Sequence, residues 1–286
     1  MSVQMIQHRL LEYNCKTDLE EQQAIREITQ EVALAALGRG DFFKYALFQG
    51  GTCLRIFYGL NRFSEDMDFI LKEANPDFQL KDHINHIADE LAAYGYNIEI
   101  TDRNRADATV KKAFLKDDSL GKVINLRHAS KAGPMAKIRI KLEVDTNPPL
   151  CSGHELQYLD FPFVSSVAAQ DRPSLFAGKI HALLCREYIK GRDWYDFIWY
   201  TSNRTSINFD YLTSAINQLG PWQGQSIVVD KEWLLNELER KIHLVNWKQA
   251  AEDIRRFVRA AEQPSLDLWS RKLFLRQLEK LKRVDE

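Results

Sequence analysis

Phe48-Gln49-Gly50-Gly51-Thr52-Cys53-Leu54-Arg55, then after a short gap Arg62-Phe63-Ser64-Glu65-Asp66-Met67-Asp68-Phe69, is the stretch that decides the fold. The apolar run Phe42 to Gln49 predicts a buried strand. Gly50 and Gly51 break it, Thr52 to Tyr58 predicts a short helix, Asn61 to Glu65 a polar loop, and Asp66 to Leu71 a second strand. Paired glycines let a backbone turn tightly and approach a ligand closely. A helix starting at that turn aims its free N–H groups and positive dipole end back at it, which makes an anion site suited to phosphates. Thr52 adds a hydroxyl at the helix start. Asp66 and Asp68 lie two apart on a strand, so both carboxylates share a face while Met67 and Phe69 point into a core. Adjacent carboxylates repel and favour a cation between them, and hard oxygen ligands suit Mg²⁺ or Mn²⁺. A lone Gly-Gly is a turn and a lone Asp-x-Asp a solvated strand face. Together, one short helix apart, they describe a nucleoside-triphosphate site.

Outward from that stretch, Lys137 to Asp145 gives the clearest strand. Lys137, Arg139, Lys141, Glu143 and Asp145 alternate with Ile138, Ile140, Leu142 and Val144. Two-metal phosphoryl chemistry calls for a third carboxylate. Glu143 and Asp145 are both candidates, as metal ligand or as the base that deprotonates an acceptor hydroxyl. Lys141, on the same face, would balance charge or touch a phosphate. Ser174 to Ile189 reads as a helix with Phe176, Ile180, Leu183 and Leu184 as its buried stripe. Lys179 lies off that stripe, roughly in line with Arg186. Arg192-Asp193-Trp194-Tyr195-Asp196 opens the next helix, with Asp193 and Asp196 on one side. The functional reading gives Lys179 a phosphate contact and Asp196 a structural or acceptor-binding role. The residues alone favour a blander one, an exposed lysine and an N-terminal acid stabilised by a helix dipole.

The remaining chain supplies the frame. Asp18 to Gly38 predicts a helix opened by a capping box of Asp18 and Glu21, with Ile25, Ile28, Val32, Ala35 and Ala36 as its apolar face. Lys81 to Tyr94 predicts another helix. Tyr96 to Thr101, Val110 to Leu115 and Val123 to Leu126 are strand candidates. Asn147-Pro148-Pro149 stops the long strand, and from Ser174 onward helices follow one another, with Asp230, Asn246 and Ser265 as N-caps. The expected organisation is α+β: a mixed sheet with flanking helices over 1–160, followed by an α-helical domain over 161–286.

Bulk composition agrees with a folded chain of 286 residues, 45% hydrophobic and 28% charged, with a net charge of −1. That balance excludes a uniformly basic nucleic-acid binder but leaves room for a local basic patch. Cys15, Cys53, Cys151 and Cys185 are scattered and form no zinc-type pair, so idle thiols are expected. The N-terminus lacks a charged start and apolar core, and no apolar run reaches the roughly 18 to 20 residues of a membrane span. A cytoplasmic location without membrane attachment is the expectation.

The combined motifs resemble the AbiEii/AbiGii toxin family, a branch of the nucleotidyltransferases related to the MenT toxins. Gly50 to Arg55 with Arg62 to Phe69 resembles its hallmark, Lys141-x-Glu143 through Thr146 its second element, the helix around Lys179 its third, and Arg192-Asp193 with Asp196 its fourth. The likeness runs from about residue 45 to 200. The family often has Gly-Ser at Gly51-Thr52, Asp at Glu143, and Gln or Glu at Leu175. The resemblance implies a nucleotidyltransferase-like sheet and a toxin of a toxin–antitoxin or phage-defence system. It implies that Gly50, Gly51, Thr52, Arg55, Ser64, Lys141 and Asp196 bind the nucleotide. Asp66, Asp68 and Glu143 or Asp145 would hold Mg²⁺ or Mn²⁺, with Lys179 in the catalytic set. The implied reaction moves a nucleotide from an NTP to an acceptor, tRNA in the MenT relatives, and the implied partner is an AbiEi-like antitoxin from a neighbouring gene. Read from the residues themselves, Arg255, Arg256, Arg259, Arg271, Lys272, Lys280, Lys282 and Arg283 of the helical half fit two readings equally, a surface for an RNA backbone or a set of solvated helix faces.

Overall fold

A computed structural model describes residues 2–102, 109–117 and 138–284. The chain opens with α1 (Ser2–Glu12) and α2 (Asp18–Arg39). The start of α2 uses a cap one position earlier than expected. Thr17 accepts the Glu20 N–H at 3.2 Å, and the Glu20 carboxylate accepts the Lys16 N–H at 2.7 Å. Asp18 is thereby left inside the first turn, where its charge complements the dipole. α2 is buried on every side rather than along one stripe. Its polar side chains tolerate this because they are bonded: Glu31 to Arg9 at 2.6 Å, Glu27 to Arg55 at 2.8 Å, and Thr29 to the Tyr96 hydroxyl at 3.0 Å.

The apolar run Phe42 to Gln49 is a 3-10 turn (Phe42–Lys44) followed by a short β1 (Ala46–Gln49), not one strand. Asp41 takes a left-handed φ of +60° and turns the chain, so that Phe42 packs edge-on against Phe69. Apolar content alone does not separate a buried turn from a buried strand. α3 spans Gly50–Tyr58, and β2 spans Asp66–Leu71 as expected. α4 (Leu80–Ala93), β3 (Ile98–Asp102), β4 (Val110–Asp117) and β5 (Ile138–Asp145) follow. The strand candidate at 123–126 and residue Lys137 lie outside the described residues.

Two strands escaped the sequence, β6 (His154–Leu159) and β7 (Ser165–Gln170). β6 is an edge strand that leaves Leu156 and Tyr158 exposed, so it carries no core stripe to reveal it. Among the described residues the sheet has seven strands in the order β3-β4-β5-β2-β1-β7-β6. It is mixed: β2 runs parallel to β5 and antiparallel to β1, while β4 is antiparallel to both β3 and β5. Phe48, Met67, Phe69, Ile140, Leu142 and Val144 form its buried face.

The chain separates into two compact units, one of residues 1–148 and 155–169, the other of 149–154 and 170–286. The sheet-bearing unit therefore runs past the 160/161 division expected from composition, because β7 belongs to the sheet. The second unit is helical: α5 (Arg172–Cys185), α6 (Gly191–Ser202), α7 (Phe209–Gln218), α8 (Lys231–Leu244), α9 (Trp247–Arg255) and α10 (Arg271–Lys282). Asp171 caps α5, accepting the Ser174 N–H at 2.9 Å, and the helix ends at Cys185, short of Ile189. Asp230 and Asn246 cap α8 and α9 as expected. Ser265 does not cap α10. Its hydroxyl donates to the Glu262 carbonyl at 2.7 Å within a 3-10 turn, and Ser270 takes the cap. Trp247 stacks on Phe274 at 3.9 Å, with Trp194 edge-on to both. No helix among the described residues is long and apolar enough to cross a membrane.

Candidate active site

The site grows from the register of β2. Asp68 lies opposite Gln49 of β1 on one side and Glu143 of β5 on the other; Asp66 lies opposite Lys141, and Ile70 opposite Asp145. Directly opposed residues share a face of a sheet. Asp66, Asp68, Lys141, Glu143 and Asp145 thus stand together on the face opposite Met67 and Phe69. β4 extends the row by placing Lys112 opposite Glu143. The same register distinguishes the two candidates for the third carboxylate: Glu143 stands beside Asp68, whereas Asp145 stands one pair further on and accepts the Asn147 N–H at 2.9 Å.

Both glycines are required by what lies against them. Gly50 has a φ of +78°, a left-handed value, and a Cβ there would stand 2.6 Å from Asp68 Oδ2. A Cβ on Gly51 would run into the Arg62 guanidinium and come within 3.1 Å of Ser64 Oγ. Arg62 and Ser64 are both buried. The Gly-Gly turn and the Arg-x-Ser-x-Asp-x-Asp segment are therefore one packed unit, with Asp68 under the first glycine at the start of α3.

Two residues expected to touch nucleotide are committed to protein partners. Thr52 is fully buried and its hydroxyl donates to the Asp66 carbonyl, fixing α3 to the first residue of β2. Arg55 donates to Glu27 and to the Leu60 and Asn61 carbonyls (2.8–2.9 Å), and lies over the Phe63 ring. It shapes the loop that leads into the aspartates. The Gln30 amide of α2 donates to the Ser64 and Glu65 carbonyls from the other side, at 3.2 and 3.0 Å.

On the sheet face the lysines offset Glu143. Lys112 Nζ is 2.8 Å from Glu143 Oε1, and Lys141 Nζ is 2.5 Å from Oε2. Burial pushes the Glu143 carboxyl up, but the two lysines outweigh it and hold the group below its ordinary range. Burial raises the Asp145 carboxyl. Among the described residues no three carboxylate, imidazole or thiol groups are arranged to hold a metal ion as they stand. The Asp66–Asp68 pair has the hard oxygen donors and shared face that a divalent cation needs, whereas both Glu143 oxygens face ammonium groups.

In the helical unit, Lys179 and Asp196 are not the exposed pair that the blander reading expects. Lys179 Nζ sits 2.7 Å from Asp193 Oδ1 and 2.8 Å from Asp196 Oδ2, and Arg186 Nη1 is 2.7 Å from Asp193 Oδ2. Asp196 is 0% exposed and the Lys179 side chain 13%. Burial pushes the Asp193 carboxyl up, and Lys179 and Arg186 more than reverse it. The i, i+3 spacing of the two aspartates lets a single ammonium from α5 bridge them.

Lys112 and Gln49 carried no signal in the sequence. Lys112 is half of a Lys-Lys pair whose alternation does not say which one turns toward Glu143, and Lys111 is the buried one.

A family model described as nucleotidyl transferase AbiEii toxin, type IV toxin–antitoxin system, matches residues 32–273. The chain belongs to this AbiEii family. The match takes in the Gly-Gly turn, the Asp-x-Asp strand, β5 and the Lys179 cluster. Two solved structures share the fold of this AbiEii family member at 16% identity. One is a Helicobacter pylori protein described as a candidate nucleotidyltransferase, with a TM-score of 0.54, covering 93% of this chain and 99% of that one. The other is MenT4, a nucleotidyltransferase toxin from Mycobacterium tuberculosis H37Rv, with a TM-score of 0.50 and both chains fully covered. At that identity they show the fold alone. A search of curated proteins finds no match. Membership makes the chain a nucleotidyltransferase-type toxin with an antitoxin partner.

Proposed function

We propose that the protein transfers a nucleotide from an NTP to a hydroxyl of an RNA acceptor, tRNA foremost, and that this reaction is its toxicity. The observation that carries the reading is Asp68 lying directly under Gly50, at the point where the free N–H groups of α3 begin. Those N–H groups would receive phosphate oxygens. Asp66 and Asp68 would hold a Mg²⁺ or Mn²⁺ ion, which when bound supplies charge neutralisation to the triphosphate and its departing pyrophosphate. Glu143 would join them as third carboxylate, with Asp145 next along the strand. Lys141 would offset negative charge. Thr52, Arg55, Arg62 and Ser64 keep the turn and the acids in one geometry.

The RNA reading draws on α10. Arg271, Lys272, Arg276 and Lys280 are exposed along it, and Arg283 just past its end. Arg255 is engaged by Glu252 and Asp267, and Lys282 by Glu279. Phosphate contacts of this kind weaken steeply with salt. The partner would be an AbiEi-like antitoxin encoded beside the gene.

The test is incubation with each α-labelled NTP, Mg²⁺ and total cellular RNA, followed by a denaturing gel. Label should enter RNA with at least one NTP, and this should disappear with EDTA and in Asp68→Ala, a loss of several kcal/mol of transition-state stabilisation. Folded Asp66→Ala and Asp68→Ala proteins that label RNA as fast as wild type would remove the assignment.

A further inference from the structure

Glu143 poses a conflict that rests on the reading above. As third carboxylate it must offer an oxygen to a cation shared with Asp68, yet each of its oxygens already faces an ammonium, Lys112 at 2.8 Å and Lys141 at 2.5 Å. An ammonium and a divalent cation cannot both occupy the same side of one carboxylate oxygen. A cation arriving beside Glu143 would be repelled by both ammonium groups, and the repulsion is relieved when one lysine gives way. Lys112 is the one able to: its side chain is 43% exposed against 27% for Lys141, and it reaches over from the neighbouring strand. Its bond to Glu143 contributes little to holding β4, since part-exposed ion pairs stabilise by about 0–1 kcal/mol. The β4–β5 ladder already pairs Val110–Asp117 with Ile138–Asp145.

We propose that Lys112 is a positioning residue, an internal counter-ion that pairs with Glu143 and passes to the triphosphate when cation and nucleotide enter. The row Gln49–Asp68–Glu143–Lys112 runs straight across four adjacent strands. A triphosphate lying over the carboxylates is therefore within the sweep of a lysine side chain anchored one strand away. Without nucleotide the lysine competes with the cation, and with nucleotide bound it adds to binding. The two effects have opposite signs, which a merely structural lysine does not produce.

The experiment measures Mn²⁺ binding to nucleotide-free protein by the loss of the free-ion EPR signal, and binding of ATP, CTP, GTP and UTP in Mg²⁺ by calorimetry. It compares wild type, Lys112→Met, Lys112→Arg and Asp68→Asn. Lys112→Met should bind Mn²⁺ about threefold to tenfold more tightly than wild type, the size expected for removing one charge beside a dication in a wet site. It should bind the preferred NTP more weakly by a similar factor. Lys112→Arg should behave like wild type in both. If Asp68→Asn abolishes Mn²⁺ binding but Lys112→Met leaves Mn²⁺ and NTP affinity unchanged, the counter-ion role is wrong and the nucleotidyltransferase reading stands. If wild type binds no Mn²⁺, or Asp68→Asn binds it equally well, both fall.

Discussion

At the scale of single residues, the site is defined by what glycine leaves out. A side chain at Gly50 would meet the Asp68 carboxylate and would also have to adopt a left-handed backbone, which costs an L-residue about 1–2 kcal/mol. Gly50→Ala should therefore destabilise the protein in urea unfolding, and part of the loss should vanish when Asp68 is also alanine. A double-mutant cycle should return a coupling of about 0.5 kcal/mol or more. Additive losses would mean that the two residues do not press on one another. Buried charge sets the other residue-scale expectation. Lys179→Met strands Asp196 without its ammonium and should cost about 3–5 kcal/mol of stability, read in the same assay. Activity lost by that variant must be measured on protein shown to be folded.

At the scale of elements, the sequence showed what repeats and hid what does not. β2 and β5 are legible because charged and apolar residues alternate along them, which sets Asp66 with Asp68 on one side of β2 and Lys141, Glu143 and Asp145 on one side of β5; that the two sides are the same face of the sheet follows only from the strand register. β6 was hidden because an edge strand with both sides partly wet has no stripe. The role of Thr52 was hidden too, because a hydroxyl at a helix start looks the same whether it points at a ligand or, as here, at the Asp66 carbonyl. Nothing in the residues around Lys179 marks its burial; only the packing of α5 on α6 shows it. The start of α6 also carries a pH signature. Burial, with Arg192 nearby, lowers the Lys190 ammonium from 10.5 to about 8. A base whose folded value is depressed is penalised while charged, so the penalty is full below about 8 and fades as pH rises toward the unfolded value. Lys190→Met should be more stable than wild type at pH 7, and that advantage should shrink between pH 8 and 9.5. An advantage constant with pH would show that Lys190 is not penalised.

At the scale of the whole molecule, a near-neutral net charge conceals segregation: carboxylates under the Gly-Gly turn, exposed cations along α10. Reversing Arg271, Lys272 and Lys280 to Glu should weaken RNA binding and flatten its dependence on salt. Equal affinity and an equal salt slope would place the acceptor elsewhere. The path of the chain has its own consequence. It passes from one unit to the other after residues 148, 154 and 169. In the helical unit Leu150 N–H donates to Ser214, Gly153 N–H to Ser174, and the Asn208 amide to the Cys151 carbonyl. A protease cutting once between 155 and 164 therefore frees neither half, because the N-terminal fragment keeps 149–154 in the helical unit and the C-terminal fragment keeps β7 in the sheet. Such a clipped protein should run as two bands in detergent yet elute as one species from a sizing column, and a gene shortened at residue 160 should yield no soluble product.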